Sequence, residues 1–342
     1  IFTDRAFHGP VSSGRAPFAG SYLPDGQLSN FNMGQALNGI WKLRVYDLEP
    51  GVRGKFGSVV LQFGLQPAHI VPPACGGDVG AGCVRPKKGK ALLPDLALMP
   101  KVTGEEWREV AFDTAKGYGE LRFAVGIMNI GYGPLEVKGT GDWFCSGNPV
   151  QSDVQCPDGS YPRQPMLQYV YVKRGRGPLR TRKHPAGYNA YDARPGHEHY
   201  HSDDFVDYYL IRRAISGSDT SDVVVGEGTK ASFCIWDLNR CREDLANCED
   251  GEGHVYTARN LPNYGFGQFR DCDANRQGLS VGGVDYYGED FEGQNILIPP
   301  GVPNGDYILR VILDPQGLFI ESDKKNNLLE IPITLTKQNK SS

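Results

Sequence analysis

Alternation of apolar and polar residues sets the tone of the chain. In 40–47, Trp41, Leu43 and Val45 share one face of an extended segment, while Lys42 and Arg44 point the other way. Leu48-Glu49-Pro50-Gly51 then turns the chain, and Ser58–Phe63 reads as a second strand, so the opening segment is expected to be antiparallel β. The same period of two recurs at Leu121, Phe123, Val125 and Ile127, at Gln168–Val172, at Tyr307–Leu313 and at Leu328–Leu335. No helical period persists beyond two turns, and no internal repeat is evident. The expected fold class is mainly β, with long irregular loops.

The pattern divides the chain. Residues 1–66 read as a β module, and 67–91 as a linker rich in Gly, Pro and Lys, in which Cys75 and Cys83 close a small loop. Residues 92–337 read as a second β-rich domain and 338–342 as a polar tail. Composition agrees. The 44 Gly and 24 Pro favour short strands and many turns, and 39% hydrophobic against 22% charged residues allows a packed core.

A net charge of −4 gives no reason to expect nucleic acid or an anionic membrane surface as partner. No apolar run reaches about 18 residues, so membrane insertion is not expected. The basic run Lys173-Arg174-Gly175-Arg176 and Arg180-Thr181-Arg182-Lys183 reads as a solvated loop, since it lacks interleaved aromatics. The eight cysteines fall in close pairs, and an even count so spaced favours an oxidising, extracellular setting and a secreted protein. Nearest-neighbour pairing gives Cys75–Cys83, Cys145–Cys156, Cys234–Cys241 and Cys248–Cys272, one of about 105 connectivities. The chain starts at Ile1 without Met, which fits removal of an export signal.

Chemistry concentrates at His197-Glu198-His199-Tyr200-His201. On a strand the three imidazoles share one face, but the outer α-carbons would stand roughly 13 Å apart. The rings must therefore lean inward or the strand must bend, and Gly196 offers a bend. Three neutral imidazoles suit Cu(II) or Zn(II) rather than Ca or Mg, and spacing does not choose between the first two.

Two resemblances follow. The stretch Asn38–Asp47 with Gly54 and Val59-Val60-Leu61 resembles the end of a proprotein-convertase P domain, a jelly-roll-like β module whose opening strands are missing here. From about Leu92 to Thr336 the chain resembles the lysyl oxidase catalytic domain through five ordered motifs. These are His197–Ser202, Lys230-Ala231-Ser232-Phe233-Cys234, Gln277-Gly278-Leu279-Ser280, Tyr287-Gly288-Glu289-Asp290, and Gly305–Val311 followed by Glu321–Asn327.

That second resemblance implies a copper-dependent amine oxidase, with copper held by His197, His199 and His201. Lys230 and Tyr287 would form a lysine tyrosylquinone cofactor. Lysine-type primary amines (peptidyl lysine or small amines) would be oxidised by O2 to aldehydes, releasing ammonia and hydrogen peroxide. Tyr286 competes for the tyrosine role, and Tyr287 is preferred because it directly precedes Gly288. Asp203 is a candidate for the proton-abstracting base, since it would share the histidine face if the strand ran on. Gly196 and Val284 stand where the animal enzymes carry cysteines, so the disulfide framework is expected to differ. Acids at Glu243, Asp244, Glu249, Asp250 and Glu252, with Asp285, Glu289, Asp290 and Glu292, are candidates for steering a cationic amine. The alternative from another class is a secreted, non-catalytic β-rich metal-binding or adhesion module. A zinc hydrolase is a third reading, weakened because Glu198 would point to the opposite strand face.

Overall fold

The computed structural model describes residues 75, 83–175, 177–193, 198–213, 222–228, 232–243 and 245–338, with backbone strands at 8–10 and 22–23. It contains two compact units, 1–71 and 72–342. In the first, β1 (His8–Pro10) and β2 (Tyr22–Leu23) pair in parallel, whereas the segment reads as antiparallel. The strands expected at 40–47 and 58–63, and with them the P-domain resemblance, lie outside the described residues.

The second unit opens with β3 (Ala91–Leu92) and β4 (Leu96–Leu98), then a six-residue helix α1 (Pro100–Glu105). Next come β5 (Trp107–Asp113), β6 (Tyr118–Phe123), β7 (Val125–Asn129) and β8 (Leu135–Gly139). The alternation expected through Leu121–Ile127 is thus split between two strands at Ala124. The short β9 (Trp143–Cys145) and β10 (Asn148–Val150) precede the long hairpin of β11 (Arg163–Val172) and β12 (Arg180–Asp192). Then follow β13 (His199–Ser202), β14 (Val206–Arg212), β15 (Val223–Glu227) and β16 (Asn239–Arg240). The chain closes with β17 (Gln277–Leu279), β18 (Gly283–Tyr287), β19 (Asn295–Ile298), β20 (Gly305–Leu313) and β21 (Leu328–Leu335). The molecule is mainly β, as its alternation implies.

Among the described residues, four antiparallel sheets make up this unit. The largest runs β10-β9-β11-β12-β13, with β3, β8 and β17 attached. The others are β15-β14-β20-β21, β16-β18-β7-β4 and β19-β6-β5. Alternation of buried and half-buried positions along β11 and, from Tyr307, along β20 shows each presenting one face to the interior. The strand β7 is buried at every position, as befits one lying between β18 and β4. The inner faces meet in a core rich in aromatics: Phe123, Phe205, Tyr208, Phe233, Tyr287 and Phe319.

Two expectations need correction. The basic run is not all loop: Arg180, Arg182 and Lys183 lie on β12, paired with Val172, Val170 and Tyr169 of β11. The disulfides are Cys75–Cys83, Cys145–Cys156, Cys234–Cys272 and Cys241–Cys248. The last two differ from nearest-neighbour pairing because the chain from 241 to 248 folds back on itself, with Arg242 N–H donating to Asn247 Oδ1 at 3.0 Å. Cys272 instead returns beside β13, its carbonyl accepting from Tyr200 N–H at 3.3 Å.

The closing Glu321–Asn327 motif ties the end of the unit to its start. The buried Glu321 carboxylate accepts from Leu96 N–H at 2.9 Å and from Asn327 Nδ2 at 2.9 Å, and Asn326 Nδ2 donates to Asp95 at 2.8 Å. Burial pushes the Glu321 carboxyl up to about 7.

Candidate metal and redox site

The strand β13 is the last of its sheet, paired with β12 through Ala190↔His201 and Asp192↔His199. Two residues apart, His199 and His201 fall on one face, and their Nε2 atoms approach to 2.9 Å. His201 is buried at 2% exposure. Its Nδ1 lies 3.2 Å from Asp192 Oδ2 and 3.4 Å from Ser232 Oγ. A carboxylate and a hydroxyl on one ring nitrogen fix the ring and its tautomer and turn the other nitrogen toward His199, the arrangement a metal-ligating histidine needs. The donor set thus fits a borderline cation such as copper or zinc.

His197 lies outside the described residues, as do Lys230 and Gly196. Glu198, with φ of 31°, bends the chain immediately before the strand. Glu198 is exposed there. The sulfurs of Cys234 and Cys272 come within 4.8 Å of the His199 ring, but they are joined to each other and offer no thiolate to a metal.

The Ser232–Cys234 segment spans from the histidines to the tyrosine. Phe233 exchanges both backbone hydrogen bonds with Ser202, at 2.7 and 2.9 Å, immediately after His201. On its other side the Phe233 ring meets the Tyr287 ring edge-on, with centroids 4.7 Å apart. The Tyr287 hydroxyl donates to the Cys234 carbonyl and lies 3.3 Å from Asp285 Oδ2. Burial, reinforced by Asp285, holds the phenol protonated well beyond the ordinary tyrosine range. The neighbouring Tyr286 faces the other way and donates to Glu106. Tyr287 thus touches Phe233 and Cys234 of the segment that follows Lys230.

Gln277 links the motifs. Its Nε2 donates to Tyr200 O at 2.8 Å, and its Oε1 accepts from Ile235 N–H at 3.2 Å and from Ser202 Oγ at 3.3 Å. Gly278 permits the close approach that follows, since a Cβ there would stand 2.1 Å from Leu135 O and 2.7 Å from the Phe269 ring. The Ser280 hydroxyl donates to the buried Asp237 carboxylate. The Gln277–Ser280 motif is therefore a brace for the site.

Asp203 does not continue the histidine face, because β13 ends at Ser202 and the chain turns, with Asp204 at φ of 52°. It still borders a cavity of about 610 Å³ shared with His201, Asp192, Ser232, Tyr161 and Tyr191. Its carboxylate is paired with Arg163, and burial raises its pKa against the opposing pull of that guanidinium. Several acids considered for steering have local partners instead. Asp250 accepts from its own loop at Glu252, His254 and Tyr256, and Asp290 pairs with Arg108 at 2.9 Å. Asp192 and Ser232 escaped the reading of the sequence: Ser232 stands inside a motif, while nothing local marks Asp192 before β12 and β13 pair.

Among the described residues, no helix is long and apolar enough to cross a membrane. The lysyl oxidase family model matches residues 166–341, just over half of the chain. The strands β3 to β10 precede that span, yet β3 and β8 pair with β11 inside it. Human lysyl oxidase homolog 1 is 35% identical over 140 residues, 41% of this chain and 20% of that protein. Human protein-lysine 6-oxidase is 35% identical over 140 residues, 27% of its own length. The pig protein-lysine 6-oxidase is 35% identical over 141 residues, 45% of its length. The chain therefore spans less than half of the curated relatives it matches. On the family match, with its motifs gathered around one pair of histidines and one buried tyrosine, the chain belongs to the lysyl oxidase family.

Proposed function

We propose that this chain is a secreted copper-dependent amine oxidase that converts lysine-type primary amines, whether peptidyl lysine or small amines, to aldehydes. Ammonia and hydrogen peroxide are the other products. The observation that carries the reading is the convergence of His199 and His201 at 2.9 Å, one backbone pairing away from a segment that grips the phenol of Tyr287. His197, His199 and His201 would hold copper, and Lys230 with Tyr287 would supply the quinone cofactor. Bound copper and that cofactor provide the redox chemistry that passes electrons from the amine to O2.

The chain's own groups do the rest. Asp192 and Ser232 orient His201. Phe233 and the Cys234 carbonyl fix the Tyr287 ring in a water-poor core, which limits side reactions of an oxidised ring. Asp203, anchored by Arg163 on the cavity wall, is the carboxylate assigned to take the substrate proton. Four disulfides fit an extracellular site of action.

The test is proteolysis of copper-loaded, aerated protein after full disulfide reduction. Peptides containing Lys230 and Tyr287 should travel as one species, and the intact protein should carry a chromophore that shifts on adding phenylhydrazine. Separate, unmodified peptides without that chromophore would overturn the oxidase reading.

A further inference from the structure

We propose that the cationic end of the β11–β12 hairpin, together with the chain entering β3, is a docking strip for a linear acidic polysaccharide. Residues 79–94 and 159–191 contain no Asp or Glu, in a chain where acids outnumber bases 40 to 36. Tertiary pairing brings these two acid-free stretches side by side. Val172 of β11 pairs with Ala91 on one side and with Arg180 on the other, and Lys173 N–H donates to Lys90 O at 2.8 Å. Lys90, Arg174, Arg180 and Arg182 thus gather at one end of the sheet, with Lys87 and Lys88 just upstream and Lys183 on the opposite face of β12, over the Tyr169 ring.

All seven side chains are exposed, and none forms an ion pair among the described residues. Other exposed cations do: Arg108 pairs with Asp290, Arg213 with Glu330 and Arg259 with Glu243. The strip is also held in place. Its residues on β12 are locked into a ladder, and Lys173 turns inward to donate to Gly177 O at 3.2 Å, closing the turn. Alternate residues of a strand stand about 6.6 Å apart and neighbouring strands about 4.8 Å, so Arg180 and Arg182 are regularly spaced on one face, with Lys183 reaching the strand end from the other. Little ordering is needed when a polymer with repeating charges lies along the strip.

Three features select the polymer. The disulfides point to an oxidising compartment, where acidic polysaccharides are abundant polyanions. Single-stranded nucleic acid is held by open aromatic faces that stack on its bases, but Lys138 and Lys183 cover the Tyr169 ring at 4.5 and 5.1 Å. Tyr171 is packed on Phe266 and hydrogen-bonded to Glu136. A bilayer surface calls for large apolar residues beside the cations, and Arg180–Lys183 offers none. The opposite end of β12 pairs with the histidine strand, roughly 30 Å along the same strand. The strip would moor the molecule while leaving its cavity open.

The test uses the full chain and a variant, Arg180→Gln/Arg182→Gln/Lys183→Gln, on immobilised sulfated and carboxylated polysaccharides across a salt series. A control, Lys101→Gln/Lys116→Gln/Arg259→Gln, makes the same change in net charge elsewhere. The parent and control should be retained and released by salt. The strip variant should bind at least tenfold more weakly at low salt, its plot of log affinity against log salt shallower by two to three. Retention on the sulfated or on the carboxylated polymer supports the proposal and identifies the anion. Equal weakening of variant and control, or no retention of the parent, overturns it. Stronger binding at equal charge concentration to double-stranded DNA or to phosphatidylserine vesicles overturns it as well. The binding assay needs no amine turnover, so its failure is separate from failure of the oxidase reading.

Discussion

The two halves of the candidate site are built differently. The histidines ride on β13, at the end of its sheet, between two non-glycine residues in the left-handed region, Glu198 at 31° and Asp204 at 52°. Tyr287 rides on β18, flanked by β16 and β7, and its ring sits in the aromatic core. A strained entry and exit, each costing of order 1–3 kcal/mol, persists only where surrounding structure enforces it, here on the strand whose two histidine rings converge. The tyrosine side has no such strain and little room. The metal side is thus the part that adjusts, and the tyrosine side is preset.

If that contrast holds, changes at Tyr287 should affect chemistry far more than folding. Tyr287→Phe is expected to lower amine oxidation at least a thousandfold, down to the level of free copper. Losing the hydroxyl should cost only about 1 kcal/mol in urea unfolding. Retained turnover would break the comparison outright, and it would pass the cofactor role to another residue.

The next largest effect should come from the staple between the two halves. Replacing Cys234 and Cys272 by Ser removes a link across 38 residues and should cost roughly 4 kcal/mol by loop entropy. The same change at Cys241 and Cys248, 7 residues apart, should cost roughly 2.5 kcal/mol. Denaturation of the two double variants under oxidising conditions measures the difference, and equal costs would argue that 234–272 is no special brace.

A smaller, purely local effect is expected at Asp192. Asp192→Asn keeps the shape but removes the charge beside His201 Nδ1, and copper affinity should fall about 10–100-fold in a competition titration. Unchanged affinity would mean that the ring is held without the Asp192 charge. The smallest effect belongs to Tyr286→Phe, which loses a bond to Glu106 on the far side of β18 and should change turnover less than about threefold. A large loss there would reverse the assignment between the two tyrosines.

Local pattern was enough for the regular strands. The alternation read at Tyr307–Leu313 and Leu328–Leu335 appears as the paired β20 and β21, because a strand with one face in the core must repeat every second residue. The basic run resisted the same reading. A cationic strand on an exposed sheet end shows no apolar face of its own, and only pairing with β11 makes it a strand. Disulfide partners failed for a related reason: proximity along the chain is not proximity in space once 241–248 curls on itself.

The sequence by itself determined the β class, the presence of a histidine cluster suited to a transition metal, and the ordered motifs that mark the family. These depend on residue type and on spacing within a few positions, where the backbone's periodicity fixes geometry. Only the tertiary structure decided that Asp192 orients His201 and that Gln277 braces three segments. It alone joined Cys234 to Cys272 and turned Tyr287, not Tyr286, toward the Phe233–Cys234 segment. Each of those contacts joins residues brought together by sheet pairing and core packing, and no local rule sets distances between segments that the fold itself must bring together.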